Sequence, residues 1–321
     1  MHIDVIGAGA LGMLLAAGLA ESGAHVTLWT RTRRQAELIQ ERGVLRYRLD
    51  GCSDVIRIPC RSMGEDAAPA AERCVVLAVK ATAIRPELMT QLHAIVGNDA
   101  LGACAVVCLQ NGVGHVETLA AALSSIPIHA AVTTEASRRE DERTVRHTGA
   151  GEIWLSDRDP FGNAAGDAPI QKKLLQSLEK AGFTSFLSND INTRIYRKLL
   201  ANAVINPLTA LYCVTNGELP QENCRLTLMR RLYEETAEVL MRSGLLPSED
   251  YWQSILAICE ATSGNRSSML SDVQAGRETE IAFINGAIAA KGRELRMPTP
   301  LNDALIAIIQ AYRKPLDEDK G

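Results

Sequence analysis

The sequence predicts an α/β chain in two parts: a mostly parallel sheet wrapped by helices, then an all-helical second domain. Three observations predict it. Short β-branched runs alternate with helical segments through the first half, the βαβ rhythm of a parallel sheet. Of three such runs, CVVLAV and ACAVVCL are apolar on consecutive positions, as burial of both sheet faces requires, and DVI is apolar after its Asp. Beyond Asp190 strand signals nearly vanish and helical periodicity takes over. At 321 residues the chain suits two cores of roughly 150 residues each. The boundary is expected near Asn189, giving domains 1–189 and 190–321.

Taken in order, strands are expected at 2–6, 25–30, 74–79 and 103–109, with helices at 10–22, 32–42, 84–96 and 115–123. From 128 to 156 the runs AAVTTEAS and TVRHTGAGEIWLS read as strands that extend the sheet. A surface loop rich in Asp, Gly, Ala and Pro follows at 157–169, then a helix at 170–181 and a strand at 184–187. The second domain shows helices at 191–206, 225–242, 251–260 and 278–295, and the tail KPLDEDKG reads as a solvated end.

Composition removes several function classes. A formal net charge of -4 with 22% charged residues leaves no electrostatic footprint for nucleic acid. Eight scattered cysteines, with no C-x-x-C pair and no His placed beside them, read as buried, reduced thiols of a cytoplasmic protein and supply no metal site. The apolar stretch at 5–20 lacks a basic leader and is interrupted by Gly7, Gly9 and Gly12, so it reads as mature structure. No other apolar run reaches membrane-spanning length, so no membrane partner is expected.

Gly7-Ala8-Gly9-Ala10-Leu11-Gly12 follows a strand and opens a helix, the setting in which G-x-G-x-x-G binds a dinucleotide. The first glycine permits the tight turn, the second lets the backbone approach a pyrophosphate, and the third lets helix and strand pack closely. The helix N-terminus adds N–H groups and a partial positive charge. This half is therefore Rossmann-type. Its second strand ends Trp29-Thr30-Arg31, with Arg33 and Arg34 behind, where a site for NAD usually carries Asp or Glu. A guanidinium binds a 2′-phosphate that a carboxylate would repel, so the expected cofactor is NADPH; the alternative is that the arginines, Arg33 and Arg34 more readily than Arg31, are only the solvated start of a helix.

Arg194, Lys198, Asn202 and Asn206 recur every four residues in the apolar helix 191–206, on one face. Asparagine is a poor interior helix former, so this stripe reads as the polar lining of a cleft, with a plain solvated face as the alternative. Glu280 stands at the expected start of the helix 278–295, where a carboxylate is stabilised; a capping role is its alternative. A lysine on one helix and a carboxylate on another suit general acid catalysis.

These residues resemble the ketopantoate reductase family. The matching stretches are IGAGALG, LAVKA around Lys80, LQNGVG around Asn111, HTGAGEIWL around His147, KLLANAVINPLTAL around Lys198, TNGEL around Asn216, and NRSSMLSDVQAGRETEIAFINGAI around Ser268 and Glu280. They run in order over nearly the whole chain. The resemblance implies reduction of the C2 ketone of 2-dehydropantoate (ketopantoate) by the pro-S hydride of NADPH, giving pantoate on the route to pantothenate and coenzyme A. It implies Lys198 as general acid and Glu280 as the supporting catalytic carboxylate. It also implies Asn111, Asn202, Asn206, Asn216 and Ser268 as substrate-binding residues. For the cofactor it implies the turn from Gly7 through Ala8, Gly9, Ala10 and Leu11 to Gly12, with Arg31, Lys80 and Asn111. Two other readings stand beside it: a related reductase of another small 2-oxo acid or imine, and a non-catalytic NADPH sensor, against which the retained Lys198 and Glu280 argue. Apolar C-terminal helices are compatible with a homodimer, although no diagnostic stripe marks one.

Overall fold

In a computed structural model describing residues 1–97, 103–158 and 170–312, the chain forms two compact units. The first is Met1–Gln110 with His115–Ile191, and the second is Asn111–Gly114 with Asn192–Gly321. Most of the loop expected at 157–169, and the tail KPLDEDKG, lie outside the described residues.

The first unit opens β1 (His2–Ile6), α1 (Ala10–Glu21), β2 (His25–Thr30), α2 (Arg33–Arg42), β3 (Val44–Tyr47), β4 (Ser53–Ile56), β5 (Cys60–Ser62) and β6 (Glu72–Leu77). It continues α3 (Pro86–Gly97), β7 (Ala103–Cys108), α4 (His115–Ala122), β8 (Ile128–Thr133), β9 (Ala136–Arg139), β10 (Thr144–Gly149), β11 (Glu152–Ser156), α5 (Ile170–Lys180) and β12 (Thr184–Ser188). The main sheet runs β12-β11-β8-β7-β6-β1-β2-β5 and is parallel except where β11 meets β8.

Alternate residues of its central strands serve two cores, because successive side chains point to opposite faces. Val5, Val76 and Val107 pack with Leu15 of α1 and Leu174 of α5. Ile6, Leu77 and Val106 pack with Leu92 of α3 and Leu119 of α4 on the other face. The consecutive apolar runs thus reflect burial on both sides.

A charge is sealed in this sheet. Asp4 of β1 is 1% exposed, accepts from Trp29 Nε1 of β2 at 2.6 Å, and pairs with Arg73 of β6. Burial works to raise its carboxyl, but hydrogen bonds from His2 and Trp29 and the Arg73 charge hold it below the usual range. The three strands that carry the glycine turn and its neighbours are thereby tied side to side.

Two expectations are corrected, one in this sheet and one on the cysteines of the whole chain. The 128–156 region does not simply extend the main sheet: β8 and β11 do, whereas β9 and β10 join β3 and β4 in a separate four-stranded sheet. Strands β3, β4 and β5 carry no strong sequence signal, being three or four residues long, with β4 alternating only between exposed and half-buried positions. The cysteines also divide: Cys60, Cys74, Cys104, Cys108 and Cys259 are buried, but Cys52, Cys213 and Cys224 are exposed.

The second unit holds α6 (Ile191–Tyr212), α7 (Asn223–Arg242), α8 (Trp252–Ala261), α9 (Ser268–Gln274), α10 (Asn285–Glu294) and α11 (Pro300–Ala311). No strand follows β12 among the described residues. Leu200 and Val204 of α6, Leu232 and Leu240 of α7, Ile288 of α10 and Ile309 of α11 share its core. Helix α6 runs through Pro207 instead of stopping at 206, and ends on Cys213 at φ 54, a left-handed cap. The helix expected at 278–295 begins only at Asn285; residues 281–284 form a turn, although Ile281 and Ile284 keep the apolar spacing of a helix. No described helix is long and apolar enough to cross a membrane.

Candidate active site

In the first unit the glycine turn sits at the carboxyl end of β1. Gly7 takes φ 111, and its N–H donates to the Trp29 carbonyl at 2.9 Å. A Cβ on Gly7 would lie 2.8 Å from Val79 Cγ1, and one on Gly12 would lie 1.8 Å from the Gly7 carbonyl oxygen. Gly9 differs, because a Cβ there would meet no protein atom within 4 Å. Gly7 and Gly12 are therefore required by the fold, while Gly9 opens a space against the start of α1. No side chain caps that helix and no acidic residue lies in its first turn, so its N–H groups and dipole suit an anion. Ala8, Ala10 and Leu11 lie within this turn, whose open Gly9 position and uncapped helix start fit the pyrophosphate of a dinucleotide.

Arg31 directly follows β2, and Lys80 lies just beyond β6. The parallel register pairs Ile6 with Trp29 and with Leu77, so both cations stand at the same strand ends as the glycine turn. Arg33 pairs with Glu37 at 2.9 Å and Arg34 with Glu142 at 3.5 Å. Arg31 is exposed and enters no ion pair among the described residues.

The second unit gathers the residues expected to carry acid–base chemistry. Along α6 the stripe runs from solvent into the core: Arg194 is exposed, Lys198 and Asn202 are half-buried, and Asn206 is buried. Burial pushes the Lys198 ammonium down to about 8, while the Glu280 carboxylate pulls in the opposite direction. Glu280, 6% exposed, lies in the bend before the 281–284 turn and not on a helix as the sequence suggests. Its Oε2 accepts from Asn111 Nδ2 at 3.1 Å.

Asn111 arrives there on a strap that the sequence pattern does not reveal. Gly112 takes φ 83, a Cβ on it would lie 2.4 Å from the Phe283 carbonyl oxygen, and the Val113 N–H donates to that oxygen at 3.2 Å. The Asn-Gly dipeptide in LQNGVG signals the turn but says nothing of its distant partner.

The remaining residues are placed less closely. Ser268 is exposed at the start of α9; its neighbour Ser267 caps that helix and accepts from Thr209 Oγ1 of α6 at 2.7 Å. Asn216 anchors a turn, donating its backbone N–H to the Asn265 carbonyl at 3.0 Å and Nδ2 to Thr262 Oγ1 at 2.9 Å. Its Oδ1 is buried with no hydrogen-bond partner among the described residues. Asn111, Lys198 and Glu280 form one constellation, whereas Asn216 bonds to a different stretch, the turn after α8. No described cluster of His, Cys, Asp or Glu suits a metal ion.

Comparison with known proteins gives a consistent family. The model described as Ketopantoate reductase PanE/ApbA matches residues 3–160, and that for the Ketopantoate reductase PanE/ApbA C terminal matches residues 190–313. The chain is 32% identical to the 2-dehydropantoate 2-reductase of Archaeoglobus fulgidus over 317 residues, 98% of this chain and 99% of the relative. Identity to the 2-dehydropantoate 2-reductase of Bacillus subtilis is 32% over 287 residues, 89% of each chain. Among solved structures, D-mandelate dehydrogenase with NADH and anilino(oxo)acetate is similar at TM-score 0.83 and 25% identity, covering 98% of each chain. The probable 2-dehydropantoate 2-reductase of Bacillus subtilis gives TM-score 0.75 at 29% identity, covering 97% of this chain and 100% of its own.

The three glycines should separate on substitution. Gly9→Ala is expected to keep the melting temperature of the free protein and to lose dinucleotide binding, measured by quenching of bound NADPH fluorescence. Gly12→Ala should melt lower even without ligand, because its Cβ meets backbone. Dinucleotide binding by Gly9→Ala at wild-type strength would remove the turn from the phosphate site.

Proposed function

The chain belongs to the ketopantoate reductase family, and from that membership we propose that it reduces 2-dehydropantoate to pantoate with NADPH, a step toward pantothenate and coenzyme A. The observation that carries this reading is the lysine of α6 set against a buried carboxylate that Asn111 holds in place. Reduction of a ketone places negative charge on its oxygen, and a positioned acid stabilises that charge as it forms. Lys198 donates that proton from Nζ. Lowered to about 8, its ammonium is still about nine-tenths protonated at pH 7, yet it gives up its proton more readily than an exposed lysine.

Glu280 supports the charged form of Lys198, and the Asn111 amide orients Glu280. Asn202, Asn206, Asn216 and Ser268 supply amide and hydroxyl groups for the substrate's carboxylate and hydroxyl. The nicotinamide, when bound, supplies the hydride. Arg31 and Lys80 hold its nucleotide, with Arg31 meeting the 2′-phosphate because Arg33 and Arg34 are already paired. A second reading, reduction of a bulkier 2-oxo acid, draws on the likeness to D-mandelate dehydrogenase.

The deciding assay follows loss of NADPH absorbance with ketopantoate, beside phenylglyoxylate, pyruvate and NADH. Turnover confined to phenylglyoxylate would replace the first reading with the second, and none with any oxo acid would refute both. Because the acid must carry its proton, kcat/KM should be flat below about pH 8 and fall tenfold per unit above it. Lys198→Ala should lower kcat by about 10²–10⁴-fold with NADPH affinity retained. A near wild-type kcat would remove Lys198 from the reaction.

Selectivity gives an independent check. Arg31→Ala should weaken NADPH by roughly 10- to 100-fold while NADH changes little, as loss of a charge-assisted bond to the 2′-phosphate requires. Equal weakening of both cofactors would refute the assignment.

A further inference from the structure

Helix α6 contains a proline in its interior. Pro207 has no N–H, so the carbonyl of Ala203, four residues earlier, loses its in-helix donor. Ala203 is 0% exposed, so water cannot supply one either. The donor comes from another helix: Nδ2 of Asn285, the first residue of α10, lies 2.9 Å from the Ala203 oxygen. The same nitrogen donates to Asn302 Oδ1 at 2.9 Å. Asn302 Nδ2 in turn donates to Glu235 Oε1 at 2.9 Å and Thr236 Oγ1 at 3.2 Å, and Glu235 also accepts the backbone N–H groups of Leu301 and Asn302. A carbonyl at one end and a carboxylate at the other both accept only, which fixes the orientation of both amides.

The first of these bonds joins α6, which carries Lys198, to the residue that follows the Glu280 turn. Ala203 follows Lys198 by about one and a half turns of α6. Asn285 directly follows the turn that carries Glu280, where the Ile284 N–H donates to the Glu280 carbonyl at 3.1 Å and the Gly286 N–H to the Ile281 carbonyl at 2.9 Å. We infer that Asn285 is a positioning residue: by bonding the carbonyl that Pro207 leaves open, it fixes the register of the Glu280 turn on α6 and holds that carboxylate against the Lys198 ammonium. Apolar contacts of α6 with α10 could slide without such a bond, since burial alone has no direction. The inference rests on the reading of Lys198 as the acid, and its test is separable from that reading.

The test titrates Lys198 in the full-length protein by NMR after ¹³C-methylation of its lysines, with Lys198→Arg to identify the signal. Asn285→Ala should lower the melting temperature by about 5 °C and move the Lys198 titration down by about one pH unit as Glu280 is released. Its kcat should fall while KM for NADPH stays unchanged. Combining it with Pro207→Ala returns an N–H to the Ala203 carbonyl: the melting temperature should recover while the titration and kcat stay displaced. Recovery of all three, or an unmoved titration in Asn285→Ala, would reduce Asn285 to a partner for a buried carbonyl and overturn the inference. Should the single variant not fold, the double variant compared with Pro207→Ala alone separates the same two outcomes. The titration needs no substrate, so a wild-type protein inactive on every oxo acid would refute the proposed function and leave the positioning role intact.

Discussion

Lys198 has to carry a charge where charge is costly. Burial drives its proton off, and what opposes that is the carboxylate of Glu280, itself almost wholly removed from water. A single buried ion is expensive, and a buried pair is tolerated only when its remaining hydrogen-bonding positions are met and its geometry is held. Much of the second unit can be understood from that demand. The Asn111 strap supplies a donor to Glu280, and the close fit of Gly112 on the Phe283 carbonyl explains why no side chain could stand there. The acid–base constellation is thus built from three distant stretches of chain, brought together around one ammonium.

The first unit is suited to a different demand, the proposed binding of an anion by backbone. Its glycine turn has two positions closed by protein and one left open, and the helix behind it begins without a cap. Such a site has little flexibility to lose, provided the strands that carry it do not shift against one another. The buried Asp4, bonded to Trp29 and paired with Arg73, spans β2, β1 and β6, the strands whose ends carry Arg31, the turn and Lys80. Directional bonds again set the geometry, while apolar packing on both faces supplies the bulk of the stability.

How legible each feature is in the sequence follows from the range of the interaction behind it. Central strands such as β6 and β7 are buried on both faces, so five or six apolar residues in a row announce them. Strands β3 to β5 are short and partly exposed, and so leave no such run. The stripe on α6 shows in the sequence because residues four apart share a face. The partnership of Asn111 with Glu280, across 169 positions, leaves no periodic trace, and neither does that of Asn285 with Ala203. Glu280 reads as helical for a related reason: Ile281, Ile284 and Ile288 keep helical spacing, but the first two are buried from a turn.

Pro207 shows how a local defect can serve a distant end. A proline inside a helix ordinarily costs about 3 kcal/mol, through the lost bond and the clash of its ring with the preceding turn. In α6 the unpaired carbonyl becomes an acceptor facing α10, at a depth where any donor it finds must be protein. A regular helix would offer its neighbour only side chains, which tolerate rotation and sliding of several tenths of an ångström. A backbone carbonyl is fixed to the helix axis, so a bond to it transmits the position of α6 directly to whatever carries the donor. Because Asn285 follows immediately on the Glu280 turn, the segment so positioned is the one whose carboxylate must match the lysine.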